Sequence, residues 1–344
     1  MRKLEASLMQ PMTEASGHIG DDAALRALAA RDGYVLVRNL LPRDTVLAVA
    51  EQLGAIMADA GWIESDVPLA HAHANLDKRC VEPQPAFMDV FYRQLSFRAL
   101  HALKAHTQLL DTAEAFLGEP AWCVPHCVMR MAFPQMDAYA TPPHQDFVHF
   151  EGSRNNWAAW IPFTPIDADT GGLAVAAGSH QNGPYDMRPC LGAGQMEIDA
   201  DLTRLDWRWS PMQPGDVLFH NCLTVHKGLP NHSDSMRVSV DARYQPVAAP
   251  VGEKYLGVSH QMKSWEDLYQ GWDDDAYKYY WHELDLDIEA FTFHWYDRRD
   301  RRAIEMGQAG DPNAAVALEN ITLKHRDAHM REAAAAALVN LQGT

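Results

Sequence analysis

Pro143-His144-Gln145-Asp146-Phe147, answered by Thr224-Val225-His226-Lys227-Gly228 and then by Arg237-Val238-Ser239, holds the most telling residues of this chain. Two imidazoles and one carboxylate suit ferrous iron bound by a 2-His-1-carboxylate facial set, which leaves three coordination positions open. Those positions can take a bidentate oxo-acid and dioxygen. Arg237 is the natural anchor for the far carboxylate of such an acid, because a guanidinium forks onto carboxylate in bidentate fashion. In a strand, residues i and i+2 point alike, so His144 and Asp146 are expected on one face. The third ligand must then come from a distant segment.

Outward from these words, residues 121–250 alternate short apolar runs with turn signals. The runs are Cys123–Phe133, Trp157–Phe163, Leu173–Ala176, Asp216–His220 and Arg237–Tyr244. Gly171-Gly172, Gly178-Ser179 and Pro214-Gly215-Asp216 punctuate them. Short strands at this spacing indicate a sandwich or barrel. Before them the pattern predicts helices over Asp22–Ala30 and Val46–Ala60, a strand near Gly33–Asn39, loops over 64–90, and one or two helices over Arg93–Leu117. After Pro250 it predicts helix over Trp265–Tyr280, then Asp311–Leu323 and Asp327–Leu341, a pair shaped like one helical-repeat hairpin. A lone unit of that kind needs neighbours to bury its faces, so a lid or a dimer element is expected of it.

The 344 residues, 47% of them hydrophobic, suffice for one large domain with an appendage. A net charge of −17 argues against nucleic acid or an anionic membrane as partner, and less strongly against a polyanionic substrate, since a local basic pocket can override the global sign. Five scattered Cys read as reduced thiols of a cytoplasmic protein. The start, Met1-Arg2-Lys3-Leu4-Glu5, has no apolar leader run, and no run is long enough to span a bilayer. Cys123 and Cys127 flank Val124-Pro125-His126, but a zinc site needs a second ligand pair at motif spacing and none is present, so core packing is expected there. Phosphate-loop, dinucleotide-fold and nucleophile-elbow motifs are absent.

The stretch from Pro143 to Pro246 resembles the phytanoyl-CoA dioxygenase-like family of iron(II)/2-oxoglutarate oxygenases. The matching words are Pro143–Phe147, Ala159–Phe163, Gly171–Val175, Gly178-Ser179-His180, Pro214–His220, His226 with Asn231, Arg237, and Arg243-Tyr244. Asp32-Gly33-Tyr34-Val35 extends the likeness, which covers about residues 22–248. The resemblance implies a mainly β fold: a jelly-roll core (double-stranded β-helix) over about 121–248 with flanking N-terminal helices. An oxygenase domain would span 1–250 and a helical extension 251–344.

It further implies that His144, Asp146 and His226 ligate Fe(II), while Arg237, with Ser239 on the same strand face, holds 2-oxoglutarate. Trp160, Gln145 and Met129 are candidate pocket residues for that co-substrate. His220 competes with His226 for the third-ligand role, and the family pattern favours His226. The implied reaction consumes O2 and 2-oxoglutarate, releases succinate and CO2, and hydroxylates a small organic molecule such as a specialised metabolite, an amino acid or an organic acid. Asp146 disfavours halogenation, because halogenating relatives lack that carboxylate. Desaturation, epoxidation, ring closure or an acyl-carrier substrate are open alternatives, and a non-catalytic jelly-roll binding protein is the reading from a different class. Arg130, Gln135, Tyr139, Arg154, Asn155, Trp157 and Arg243 are expected near the mouth, and His149 can face the pocket. The Arg298–Arg302 run is expected on a solvated helix face. A homodimer through the C-terminal helices is the one macromolecular partner expected.

Overall fold

The computed structural model describes residues 8–342, so the Met1–Glu5 start discussed above lies outside the described residues. Helix α1 (Asp22–Asp32) is capped by the Asp21 carboxylate, which accepts from Ala24 N, and ends at Gly33 with φ 72°. That left-handed position favours glycine. Strand β1 (Tyr34–Val37) follows at once, then helices α2 (Arg43–Asp59), α3 (Pro85–Leu95), α4 (Arg98–Lys104) and α5 (Thr107–Leu117). The loop expected over 64–90 ends early, because Pro85 occupies the first turn of α3, where its missing N–H costs nothing. Of the one or two helices expected over Arg93–Leu117 there are two, α4 and α5, with the end of α3 before them.

The strands that follow are β2 (Ala121–Ala132), β3 (Trp157–Pro162), β4 (Gly172–Ala177), β5 (Met187–Pro189), β6 (Met196–Ile198), β7 (Asp206–Arg208), β8 (Val217–Asn221), β9 (His226–Leu229) and β10 (Arg237–Pro246). A single-turn helix α6 (Phe147–Phe150) lies between β2 and β3. The strands form a five-stranded antiparallel sheet, β1-β8-β3-β10-β2, and a three-stranded antiparallel sheet, β7-β4-β9, with β5-β6 as a separate hairpin.

Strand alternation sorts the larger sheet into two faces. Val35, Val37, Ala159, Ile161, Val217, Phe219, Val238 and Val240 pack with Leu25, Val46, Leu53, Phe91 and Phe116 of the helices. Tyr34, Leu36, Trp160 and Leu218 pack instead with Ala174, Val175 and Leu229 of the smaller sheet and with Trp209. The molecule is therefore layered: helices, a large sheet, then a small sheet.

The segment after β10 carries β11 (Val251–Gly252), α7 (Trp265–Leu268), β12 (Ile288–Glu289), α8 (His294–Gln308), α9 (Ala315–Lys324) and α10 (Ala328–Gln342). The helix expected over Trp265–Tyr280 is a single turn, started by a reciprocal capping box between Ser264 and Asp267. Beyond it Tyr269, Trp272 and Tyr279 bury their rings against one another and against His101, and that aromatic packing overrides helix propensity. Helices α8, α9 and α10 share a core of their own through Ala303, Ile304, Leu318, Ile321, Ala334 and Ala337. Among the described residues no helix is long and apolar enough to cross a membrane.

Phe219 is fully buried between the sheet and α5, with the Phe116 ring at 5.3 Å and the Tyr244 ring at 6.2 Å. Phe219→Ala should lower the unfolding free energy by about 3–5 kcal/mol, read from urea denaturation. A loss under about 1 kcal/mol would contradict close packing of this layer.

Candidate metal centre and its two clefts

The structure brings His144, Asp146 and His226 together as a buried group whose donor atoms all lie within 4.8 Å of one another. The meeting is made by backbone. His144 N donates to the His226 carbonyl at 3.0 Å, and His226 N donates back to the His144 carbonyl at 3.1 Å. Each ring is then fixed by its own local bond. His144 Nδ1 lies 2.8 Å from the Pro142 carbonyl and His226 Nδ1 lies 2.9 Å from the Thr224 carbonyl. A carbonyl only accepts, so both Nδ1 atoms carry the proton and both Nε2 atoms are bare. Those two Nε2 atoms stand 3.7 Å and 3.8 Å from Asp146 Oδ1.

Electrostatics keeps the group ready for a cation. Burial, reinforced by His226, brings His144 down to about 3, and burial, reinforced by His220, brings His226 down to about 4. Both imidazoles are neutral near pH 7. Burial alone would raise Asp146, but Arg243 and the three surrounding histidines outweigh it and hold the carboxyl well below its usual range. Two neutral imidazoles and one carboxylate bind a divalent metal without first shedding protons.

The backbone at Asp146 differs from the extended geometry expected for a His-x-Asp pair. Asp146 is in the right-handed helical region, φ −64° and ψ −32°, and leads directly into α6. The two side chains converge because the chain turns there. Gln145 is corrected outright. Its amide nitrogen donates to the Gly183 and Leu223 carbonyls, and its oxygen accepts from Tyr185 N. The side chain is thus spent on backbone away from both clefts and cannot also serve a co-substrate.

Strand β10 floors the site. Arg237, Ser239, Asp241 and Arg243 alternate with Val238, Val240, Ala242 and Tyr244, which face the helices, so four polar residues share the cleft face. Trp160 sits across from Asp241 and shares that face. Met129 pairs opposite Val240 and packs into the helix-side core while still bordering the cleft that runs to Arg237, where Arg130, opposite Ser239, stands beside it.

One cleft, enclosing about 930 Å³ with its mouth, runs from His144 and His226 to Arg237 and is also lined by Trp160, Ser239 and Tyr139. Arg237 NH1 donates to the carbonyls of Thr170 and Leu229, and no described carboxylate lies within ion-pair distance of it. Burial lowers its guanidinium to about 10. Gly171 makes this seat possible. It has φ +81°, and a Cβ there would stand 2.5 Å from the Pro230 carbonyl and 3.0 Å from Arg237 NH1.

A second cleft, about 1250 Å³ with its mouth, opens on the Asp146 side. His126, Arg130, His149, Arg243, Lys254 and Arg299 stand among its walls. Arg243, expected near the mouth, is fully buried, with NH2 3.0 Å from Asp146 Oδ2. Arg154, Asn155 and Trp157 line neither cleft; Trp157 packs on Phe116 in the core. His220 is buried, its ring 4.3 Å from that of His226. His126 was expected to pack in the core with its flanking cysteines. Instead the β2–β10 register slips between Val128 opposite Asp241 and Val124 opposite Arg243, and the irregularity turns His126 to the cleft. Bulges re-aim side chains in this way. Lys254, Tyr296 and Arg299 come from the C-terminal segment; Arg299, expected on a solvated helix face with the rest of Arg298–Arg302, instead turns into this cleft, paired with the buried Asp300.

A family model described as phytanoyl-CoA dioxygenase (PhyH) matches residues 29–239. A curated 1-deoxypentalenic acid 11-beta-hydroxylase of Streptomyces arenae is 30% identical over 259 residues, covering 68% of this chain and 84% of the relative. Its counterpart from Streptomyces exfoliatus is also 30% identical, with the same coverage of both chains. The solved structure of the epimerase SnoN in complex with Fe3+, alpha ketoglutarate and nogalamycin RO superposes with a TM-score of 0.50 at 23% identity, over 67% of this chain and 87% of that one, a likeness of fold.

The low imidazole values fix the sign of a pH effect. An ordinary histidine site starts losing metal to protons near pH 6.5. Here proton competition begins only near 4 and below, so the affinity for Co(II), a spectroscopic stand-in for iron, should stay flat between about pH 7.5 and 5.5. A steady fall across that range would contradict the buried, neutral imidazoles.

Proposed function

The chain belongs to the phytanoyl-CoA dioxygenase family of iron(II)/2-oxoglutarate-dependent oxygenases, and on that premise we propose that it hydroxylates a C–H bond of a small organic molecule. One observation carries the site assignment: two bare Nε2 atoms and Asp146 Oδ1 converge on one point, in a cleft shared with a half-buried arginine that has no carboxylate partner among the described residues. In this reading His144, Asp146 and His226 hold iron. Arg237 and Ser239 receive the distal carboxylate of 2-oxoglutarate, with Trp160 as the wall of that cleft. The second cleft then receives the substrate, because it reaches the same metal position from the Asp146 side.

When bound, ferrous iron and 2-oxoglutarate supply the activation of O2, with succinate and CO2 as co-products. The protein's own residues do the positioning. Arg243 forms an ion pair with Asp146 Oδ2, while Oδ1 faces the two Nε2 atoms and the metal position. The carbonyls of Pro142 and Thr224 hold both rings with Nε2 forward. Trp160 and Leu229 on the first cleft and Phe150 and Val258 on the second give apolar surface against which bound molecules are oriented. The relatives' own names, both hydroxylases, favour hydroxylation over desaturation or ring closure. Two antiparallel sheets packed around Trp160 and Leu229 support a jelly-roll core over about 121–248 in an oxygenase domain of 1–250. Residues 251–344 form the extension.

The test is an anaerobic titration of the iron(II) protein with 2-oxoglutarate, watching for the weak visible charge-transfer band of a chelated keto acid. The band should appear and saturate. Arg237→Ala should weaken 2-oxoglutarate by about 100-fold or more while leaving iron affinity within a few-fold. Equal co-substrate affinity in the variant would remove Arg237 as the anchor. His226→Ala should lose tight iron binding with the fold intact by circular dichroism, and retained stoichiometric iron would remove His226 as a ligand.

A further inference from the structure

We infer that the second cleft binds the anionic group of an amphipathic acid, carboxylate or phosphate, through Lys254, a residue of the C-terminal segment. The inference rests on the proposed function, since it takes that cleft as the substrate's.

The charge of the wall is the first ground. Arg130, Arg243, Lys254 and Arg299 line the cleft, against Glu82 and the iron-facing Asp146. This is a locally cationic cavity inside a chain of net charge −17. Three of the four cations are already paired: Arg130 with Asp241 at 3.0 Å, Arg243 with Asp146 at 3.0 Å, and Arg299 with Asp300 at 2.5 Å. Lys254 has no described carboxylate within ion-pair distance. Its Nζ donates to the His149 carbonyl at 3.2 Å and lies over the Phe291 ring at 3.5 Å and the Tyr296 ring at 4.5 Å. An ammonium carries three N–H donors, so two are left for a ligand. Burial, only partly offset by Glu151 and Glu253, brings it down to about 8, and an anion beside it would reverse that cost.

The second ground is how firmly Lys254 is placed. Ser153 N donates to the Pro250 carbonyl at 3.0 Å, and Gly152 bridges Val251. A Cβ on Gly152 would meet Gly252 N at 2.3 Å, so the approach is as close as backbone allows. Tyr255, next in sequence, stacks on Phe150 at 4.4 Å. Lys254 is thus fastened to the loop that follows the iron-binding Asp146. The remaining wall includes Pro83, Val128, Phe150 and Val258, which suits an apolar body on an anionic head. Lys254 and Arg299 lie outside the residues 29–239 matched by the family model, so this selectivity belongs to the chain's own extension.

The experiment uses the full-length iron(II) protein saturated with 2-oxoglutarate under argon. Octanoate, octyl phosphate, octanol and octyltrimethylammonium are titrated in, following the charge-transfer band and, in parallel, protection of Lys254 from acylation by mass spectrometry. At least one anion should bind saturably, protect Lys254, and bind about tenfold or more tightly than octanol. Which anion does so separates a carboxylate from a phosphate substrate. Lys254→Met should remove that preference without moving the octanol value, and Lys254→Arg should restore it. Equal binding of octanol, no binding of either anion, or an unchanged preference in Lys254→Met overturns the inference. If Lys254→Met fails to form the 2-oxoglutarate band, wild-type selectivity and protection decide. Failure of the wild-type band overturns the proposed function itself, whereas a normal band without anion preference overturns only this inference.

Discussion

The reciprocal backbone bonds between His144 and His226 are the constraint on which the site depends. They join the loop after β2 to the first residue of β9, and through β9 to the small sheet. Side chains alone cannot set a metal geometry, because a free imidazole turns about two torsions. Here the backbone bridge fixes both Cα positions, and the carbonyls of Pro142 and Thr224 fix both rings. Asp146 follows because α6 begins there, and Arg243 fixes its far oxygen from β10. Each of the three side chains is therefore oriented by a second group outside the point where their donor atoms converge.

The polar face of β10 sets the order of events along the cleft. Arg237 lies at one end, Ser239 and Asp241 between, and Arg243 beneath Asp146. One strand thereby measures the separation between an arginine that waits for a carboxylate and an arginine that already has one. The two guanidiniums are chemically alike and electrostatically opposite. Burial lowers Arg237 because no described carboxylate is paired with it, whereas Asp146 and Asp241 raise Arg243 against the same burial. The first is suited to receiving an anion and the second to holding a ligand still.

Much of this was legible in the sequence, for identifiable reasons. His144, Asp146, His226 and Arg237 stand in short words whose residue types have few other uses together, and strand alternation correctly put Ser239 beside Arg237. The strands came through because Val, Ile, Trp and Phe at period two mark a half-buried sheet. What failed was whatever depends on direction at a turn or an irregularity. Gln145 sits between two site residues, yet the turn at Asp146 sends its amide to Gly183, Leu223 and Tyr185. His126 reaches the cleft only through an irregularity in β2. Lys254 is brought there by a segment whose packing is largely ring against ring, and Arg299 by a helix whose inward face the charged run Arg298–Arg302 conceals.

The central claim, that this centre splits 2-oxoglutarate, is tested most directly by incubating the iron(II) protein in air with 2-oxoglutarate labelled at C1. The account predicts slow release of labelled CO2 matched one-for-one by succinate, requiring both iron and O2, and lost in Asp146→Ala. No release above that of iron without protein, or release that persists in Asp146→Ala, would contradict it.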